Sequence, residues 1–182
     1  PNFRDAGLAI AQMDQWIIDY LAAEKVIVPK DVIVVGQSAG GWGSIALSSV
    51  NPASVKAIIT FAAGRGGRVG GKPNNNCAPD KLVEATAAFG QTSRVPMLWL
   101  YNENDTYFGP DLSKRMHQAF VDAGGKAEYE KRYDGLDHLY FDRDWFAQLL
   151  RRAGATSIVI RDQEIQDYGN AAGRFNVFAR LS

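Results

Sequence analysis

Histidine and cysteine are nearly missing from this chain: two histidines, His117 and His138, and one cysteine, Cys77, in 182 residues. A lone cysteine excludes an internal disulfide and a thiolate-rich zinc site, so Cys77 reads as an incidental loop thiol. Two histidines leave only two places for imidazole chemistry. Net charge is missing too, because 20 Lys and Arg offset 20 Asp and Glu. The chain therefore carries no electrostatic footprint for nucleic acid or for an anionic membrane surface. No apolar run reaches the length of a transmembrane helix, and no basic-then-apolar leader opens the sequence. The compartment is left open, with the cytoplasm as the expectation. Pro1 stands where an initiating methionine would, so the expected object is a processed product or a piece of a longer chain. What is present is an apolar share of 46%, ample for the core of one domain. A single α/β domain over residues 1–182 is expected.

Strand-like and helical patterns alternate along most of the chain, which argues for a mainly parallel sheet with right-handed crossovers. Ala6, Ile10, Met13, Ile17 and Leu21 mark an amphipathic helix. β-Branched or apolar runs at 31–35, 56–62, 95–101 and 126–132 read as strands, and 39–50, 80–89 and 111–123 as helices. Residues 64–79, rich in glycine, asparagine and proline, read as a long flexible loop. Its Gly64-Arg65-Gly66-Gly67-Arg68 run does not match a phosphate-binding loop.

Gly36-Gln37-Ser38-Ala39-Gly40 follows the strand-like run directly and opens a helix. Gly-x-Ser-x-Gly between strand and helix is the sequence of a sharp turn that exposes a nucleophilic serine. The glycines remove Cβ atoms that would clash in such a turn. The helix start supplies free N–H groups and a positive dipole end for a developing oxyanion. The competing reading is a tight turn with a serine helix cap. Gly40, Gly41 and Gly43 weaken the helix intrinsically and are expected to allow close approach to the sheet.

A serine nucleophile needs a base and an acid to orient it. His117 falls on the polar side of the Leu112, Met116, Ala119, Phe120, Ala123 stripe and reads as a solvated surface residue. His138 lies in the turn-rich Tyr133-Asp134-Gly135-Leu136-Asp137 segment after a strand. Loops at the carboxyl ends of parallel strands are where such sheets carry their chemistry. His138 is the expected base. The loop Asn102-Glu103-Asn104-Asp105-Thr106 offers two acids, Glu103 and Asp105. Asp137 adjoins His138 in sequence, but neighbouring loop side chains rarely meet head-on at Nδ1.

The segments PNFRDAGLAI, VIVVGQSAGGWGS, ITFAAGRGG, PMLWLYNENDTYFGP and DGLDHLYFD together resemble the carboxyl-terminal part of a dienelactone-hydrolase-like α/β-hydrolase, over about residues 1–143. The resemblance implies Ser38 as nucleophile, Asp105 as acid, His138 as base and the Ala39 N–H as one oxyanion donor. The order serine, acid, histidine is also that of α/β-hydrolases. It implies a small-molecule ester or lactone substrate, an acyl-enzyme, and no metal or organic cofactor. The expected fold class is α/β: a three-layer sandwich with a mainly parallel sheet, a partial α/β-hydrolase fold ending in an antiparallel strand pair. The family's earlier strands, and the loop that gives a second oxyanion N–H, have no counterpart here. One missing donor would lower the rate ~10²–10³-fold, and an uncovered sheet edge would suit a homodimer. Trp42, Tyr107 and Phe108 are candidates for the acyl-pocket wall and equally for ordinary core or rim aromatics.

Residues 144–182 carry a helix at 144–153 and strands at 156–165 and 174–181. This tail resembles the end of class I S-adenosylmethionine methyltransferases, without that family's cofactor-binding elements, and is expected to be architectural. A fused chain of two α/β pieces follows as an expectation. The rival functions are a noncatalytic scaffold and a methyltransferase-like binding module.

Overall fold

The computed structural model describes residues 1–132, 143–152, 155–162 and 175–181. The chain divides into two compact units, residues 1–138 and 139–182.

In the first unit the order is α1 (Phe3–Ala23), β1 (Val32–Gln37), α2 (Ala39–Val50), β2 (Val55–Phe61), α3 (Pro79–Thr92), β3 (Met97–Asn102), α4 (Pro110–Asp122) and β4 (Ala127–Arg132). The four strands form one sheet in the order β1-β2-β3-β4, and every neighbouring pair is parallel. Parallel neighbours need crossover connections, and each here contains a helix. Val34 pairs with Ile58, Ile58 with Met97, and Met97 with Ala127. Helices α1 to α4 pack side by side in one layer. Between that layer and the sheet lies an aromatic core: Trp42, Phe89, Trp99 and Phe120 are at most 1% exposed. Trp42 meets Phe89 edge-on, with centroids 5.4 Å apart.

Helix α1 forms where its periodicity predicts, but it buries a different face. Met13 is 64% exposed and Ile17 43%, whereas Phe3, Gly7, Ala11 and Ile18 are buried. The reason is close helix packing. A Cβ at Gly7 would sit 2.9 Å from the Trp42 indole nitrogen and 3.1 Å from Ala46 Cβ. Small residues let α1 approach α2; Met13 and Ile17 are turned outward, while Ala6, Ile10 and Leu21 of the expected stripe are half-buried. The Asn2 side chain caps the helix by accepting the Asp5 N–H at 3.1 Å.

The loop between β2 and α3 is also better held than its composition suggests. Arg68 and Asn76 form an antiparallel bridge, and the Val69 N–H reaches the Asn75 carbonyl at 2.8 Å. Asn76 is buried and donates to the Arg65 carbonyl at 3.1 Å. Backbone bonds and the Asn76 side chain together hold the loop.

The second unit contains α5 (Arg143–Arg152), β5 (Ala155–Asp162) and β6 (Phe175–Leu181). The two strands pair antiparallel, with Ile158 opposite Ala179 and Ile160 opposite Val177. Ala147 and Leu150 are buried one turn apart on α5. Arg151 and Arg152 at its carboxyl end complement the negative end of the helix dipole. No described helix is long and apolar enough to cross a membrane.

Candidate active site

The turn from β1 into α2 has the backbone that its sequence requires. Ser38 sits at φ 52°, ψ −120°, a left-handed conformation that costs a non-glycine residue about 1–3 kcal/mol. Three hydrogen bonds hold it there. The Ser38 N–H donates to the Phe61 carbonyl at 2.9 Å, and the Ser38 carbonyl accepts from Trp42 N–H at 2.9 Å and Gly64 N–H at 3.2 Å. Two of these partners belong to the end of β2 and its exit, so the turn leans on the neighbouring strand. Ala39 and Gly40 are exposed at the start of α2, where first-turn N–H groups have no intrahelical carbonyl.

The glycines of this region have separate duties. A Cβ at Gly36 would lie 2.8 Å from the Gly40 carbonyl oxygen and from Gly41 Cα. A Cβ at Gly41 would lie 2.8 Å from Ala63 Cβ. Gly36 and Gly41 therefore permit the close passage of strand, helix and β2 exit. Gly40, expected to serve the same purpose, meets no described atom within 4 Å, and Gly43 faces Ile10 of α1 instead of the sheet.

The loop after β3 separates its two acids. Asp105 is 1% exposed. Its Oδ1 accepts the Tyr107 N–H at 2.7 Å and the Phe108 N–H at 2.9 Å, which fixes the carboxylate to the loop that leads into α4. Glu103 forms a close ion pair with Lys131 of β4. The fold thus puts Ser38 and Asp105 in loops at the carboxyl ends of parallel strands β1 and β3. His138 and Asp137 lie outside the described residues.

His117 is a correction. Its ring is half-buried, not solvated: Nε2 is 2.9 Å from the Ala127 carbonyl. Trp99 stands edge-on at 5.6 Å and Tyr129 at 5.3 Å. The position next to Met116 on α4 faces β3 and β4, so a residue on the expected polar side joins the packing. Of the two readings open for Trp42, the structure gives the core one: it is fully buried, and its indole N–H donates to the Phe3 carbonyl at 2.9 Å. It is core, not pocket wall. Phe108 is likewise buried, packed onto Gly64. Tyr107 is half-buried, with the Arg68 guanidinium 4.3 Å above its ring.

Sequence patterning does not single out Tyr101. Its hydroxyl donates to the Ala63 carbonyl at 2.7 Å. Burial raises the Tyr101 hydroxyl well above the usual phenol range, with Tyr129 and Asp105 adding to it. Tyr129 is raised by burial, against a lowering hydrogen bond to Ser113. Among the described residues no group of His, Cys, Asp and Glu is arranged to hold a metal ion.

The model of the dienelactone hydrolase family matches residues 5–149. No curated protein matches the sequence. Among solved structures, the chain is similar to a Mycobacterium tuberculosis puromycin-hydrolyzing peptidase, with TM-score 0.55 and 18% identity, over 75% of this chain and 23% of that one. It is similar to esterase PE8, with TM-score 0.54 and 23% identity, over 82% of this chain and 64% of that one. It is also similar to a Klebsiella pneumoniae protein assigned as a dienelactone hydrolase, with TM-score 0.53 and 22% identity, over 79% of this chain and 57% of that one. The chain thus spans about a quarter of the length of the peptidase and about three-fifths of the other two. These likenesses show the fold.

Proposed function

The chain belongs to the dienelactone hydrolase family, and from that premise we propose that it hydrolyses a carboxylic ester or lactone through an acyl-enzyme on Ser38. The observation that supports this most is the strained backbone of Ser38, φ 52° and ψ −120°, between β1 and α2. Strain of this kind persists only where the surroundings over-determine it. Here the three backbone bonds and the two close-packed glycines do so.

In the proposed reaction Ser38 Oγ attacks the substrate carbonyl while His138 takes its proton. The Ala39 N–H, at the positive end of α2, stabilises the oxyanion. Asp105 holds the imidazole in the useful tautomer and steadies the imidazolium. His138 then returns its proton to the leaving alcohol, and in the second half activates water to release the acid. The burial of Asp105 and its two backbone donors favour it as the orienting acid. The engagement of Glu103 by Lys131 argues against the alternative.

The test is active-site labelling with a fluorophosphonate and turnover of 4-nitrophenyl acetate. Labelling at Ser38, with both signals lost in Ser38→Ala, is the expected result. Folded protein that stays unlabelled at Ser38, or a Ser38→Ala variant that turns over like the parent, would leave the turn as architecture and favour a noncatalytic scaffold.

A further inference from the structure

Strand β2 ends beside the nucleophile turn, and its exit is an awkward piece of backbone. The Ala62 N–H still bonds to the Leu100 carbonyl of β3 at 2.8 Å. At the same residue φ is +45°, a left-handed value that alanine adopts only under constraint. The chain then turns away from the ladder. There the Ala63 carbonyl meets the side chain of Tyr101, whose hydroxyl donates to it at 2.7 Å. Tyr101 is 2% exposed, and its ring stacks on Tyr129 at 5.7 Å with 16° between the planes.

Two contacts run from this anchored exit to the turn. The Gly64 N–H donates to the Ser38 carbonyl at 3.2 Å. Ala63 lies so close to the first turn of α2 that a Cβ at Gly41 would be 2.8 Å from Ala63 Cβ. The placement of Ser38 and of the α2 amino terminus therefore depends on where residues 62–64 sit.

We propose that the Tyr101 hydroxyl is a positioning group for the nucleophile turn: by holding the Ala63 carbonyl it fixes the exit of β2, which in turn fixes Ser38 and the start of α2. The assignment rests on Ser38 being the nucleophile. Tyr101 acts through Ala63 and Gly64. Burial keeps its hydroxyl protonated, so it stays a donor across the neutral range.

Tyr101→Phe in the full 182-residue chain tests this, because it keeps the ring and removes only the hydroxyl. Native-state amide exchange reads the backbone directly. The Ser38 and Gly64 amides should exchange about tenfold faster, the scale set by losing one buried hydrogen bond, while the buried amides of α4 stay within twofold. The kcat for 4-nitrophenyl acetate should fall about tenfold, with KM within twofold, because a misplaced nucleophile weakens the transition state more than ground-state binding. Phe120→Leu serves as a destabilising control away from the turn. It should lower the melting temperature yet accelerate Ser38 and Gly64 exchange no more than that of the other buried amides of the unit outside α4, the helix that carries Phe120. Unchanged exchange at Ser38 and Gly64 in Tyr101→Phe, or equal acceleration throughout the unit, would overturn the assignment. Selective acceleration together with hydrolysis that Ser38→Ala does not abolish would support the brace and overturn the nucleophile reading separately.

Discussion

Gly36 and Gly40 occupy matching places in the Gly-x-Ser-x-Gly turn, yet alanine at each should have opposite effects. At Gly36 the new methyl would sit 2.8 Å from the Gly40 carbonyl oxygen and from Gly41 Cα, and closer still to Ser44 Oγ. The Ser44 hydroxyl can rotate, but the two backbone atoms yield only if the first turn of α2 moves. Overpacking of a buried site costs typically ~1–3 kcal/mol, and two rigid neighbours put Gly36→Ala at the upper end, about 3 kcal/mol. At about 2–4 °C per kcal/mol for a domain of this size, the melting temperature should fall by roughly 6–12 °C. At Gly40 no described atom lies within 4 Å, and the backbone is not among the left-handed glycines. Alanine there should gain up to about 1 kcal/mol of helix propensity and raise the melting temperature by up to ~4 °C. Thermal melts and guanidinium midpoints of the two variants, measured together, check the contrast. If Gly40→Ala destabilises as much as Gly36→Ala, or if Gly36→Ala matches the parent, the division of labour derived from the close contacts is wrong.

Other outcomes follow from the same geometry. Ser38→Gly should stabilise the fold by about 1 kcal/mol in a denaturant titration, since glycine tolerates the left-handed backbone, while removing all fluorophosphonate labelling. Asp105→Asn should lower kcat by ~10²–10⁴ through loss of the correct imidazole tautomer, whereas Glu103→Gln should leave turnover nearly intact; the reverse order would move the acid role to Glu103. Burial raises the half-buried Asp14 carboxyl of α1 above its usual 3.8, so the folded state binds that proton more tightly than the unfolded chain. Stability from this group is therefore lost as pH rises through the window above 3.8. Asp14→Asn should raise the urea midpoint at pH 7, with the gain vanishing in acid below the unfolded value.

Local pattern carried the reading of elements a long way. The sequence pattern places helix α2 at residues 39–50, and it is found at Ala39–Val50. The four parallel strands of the first unit and the antiparallel pair of the second fall within a few residues of the expected runs. These features depend on neighbours close in sequence: β-branched runs prefer extended backbone, and a glycine-flanked serine between strand and helix needs a particular turn. The same locality made Ser38 and the acid-bearing loop after β3 legible as candidates.

Tertiary structure decided which faces and which atoms meet. The exposed Met13 and the buried Gly7 of α1 reverse what side-chain size suggests, because close helix approach rewards the absence of bulk, and only the partner helix reveals that. His117 joins Trp99 and Tyr129 because α4 happens to lie over the β3–β4 seam. Asp105 is set apart from Glu103 by two backbone N–H groups and by Lys131 on another strand, a distinction that two acids two residues apart do not announce. Tyr101 reaches Ala63 across 38 positions of chain. A hydrogen bond between distant segments exists only once the sheet has brought its strands into register, so sequence determined the elements and the candidate nucleophile, and the packed sheet determined what holds that nucleophile in place.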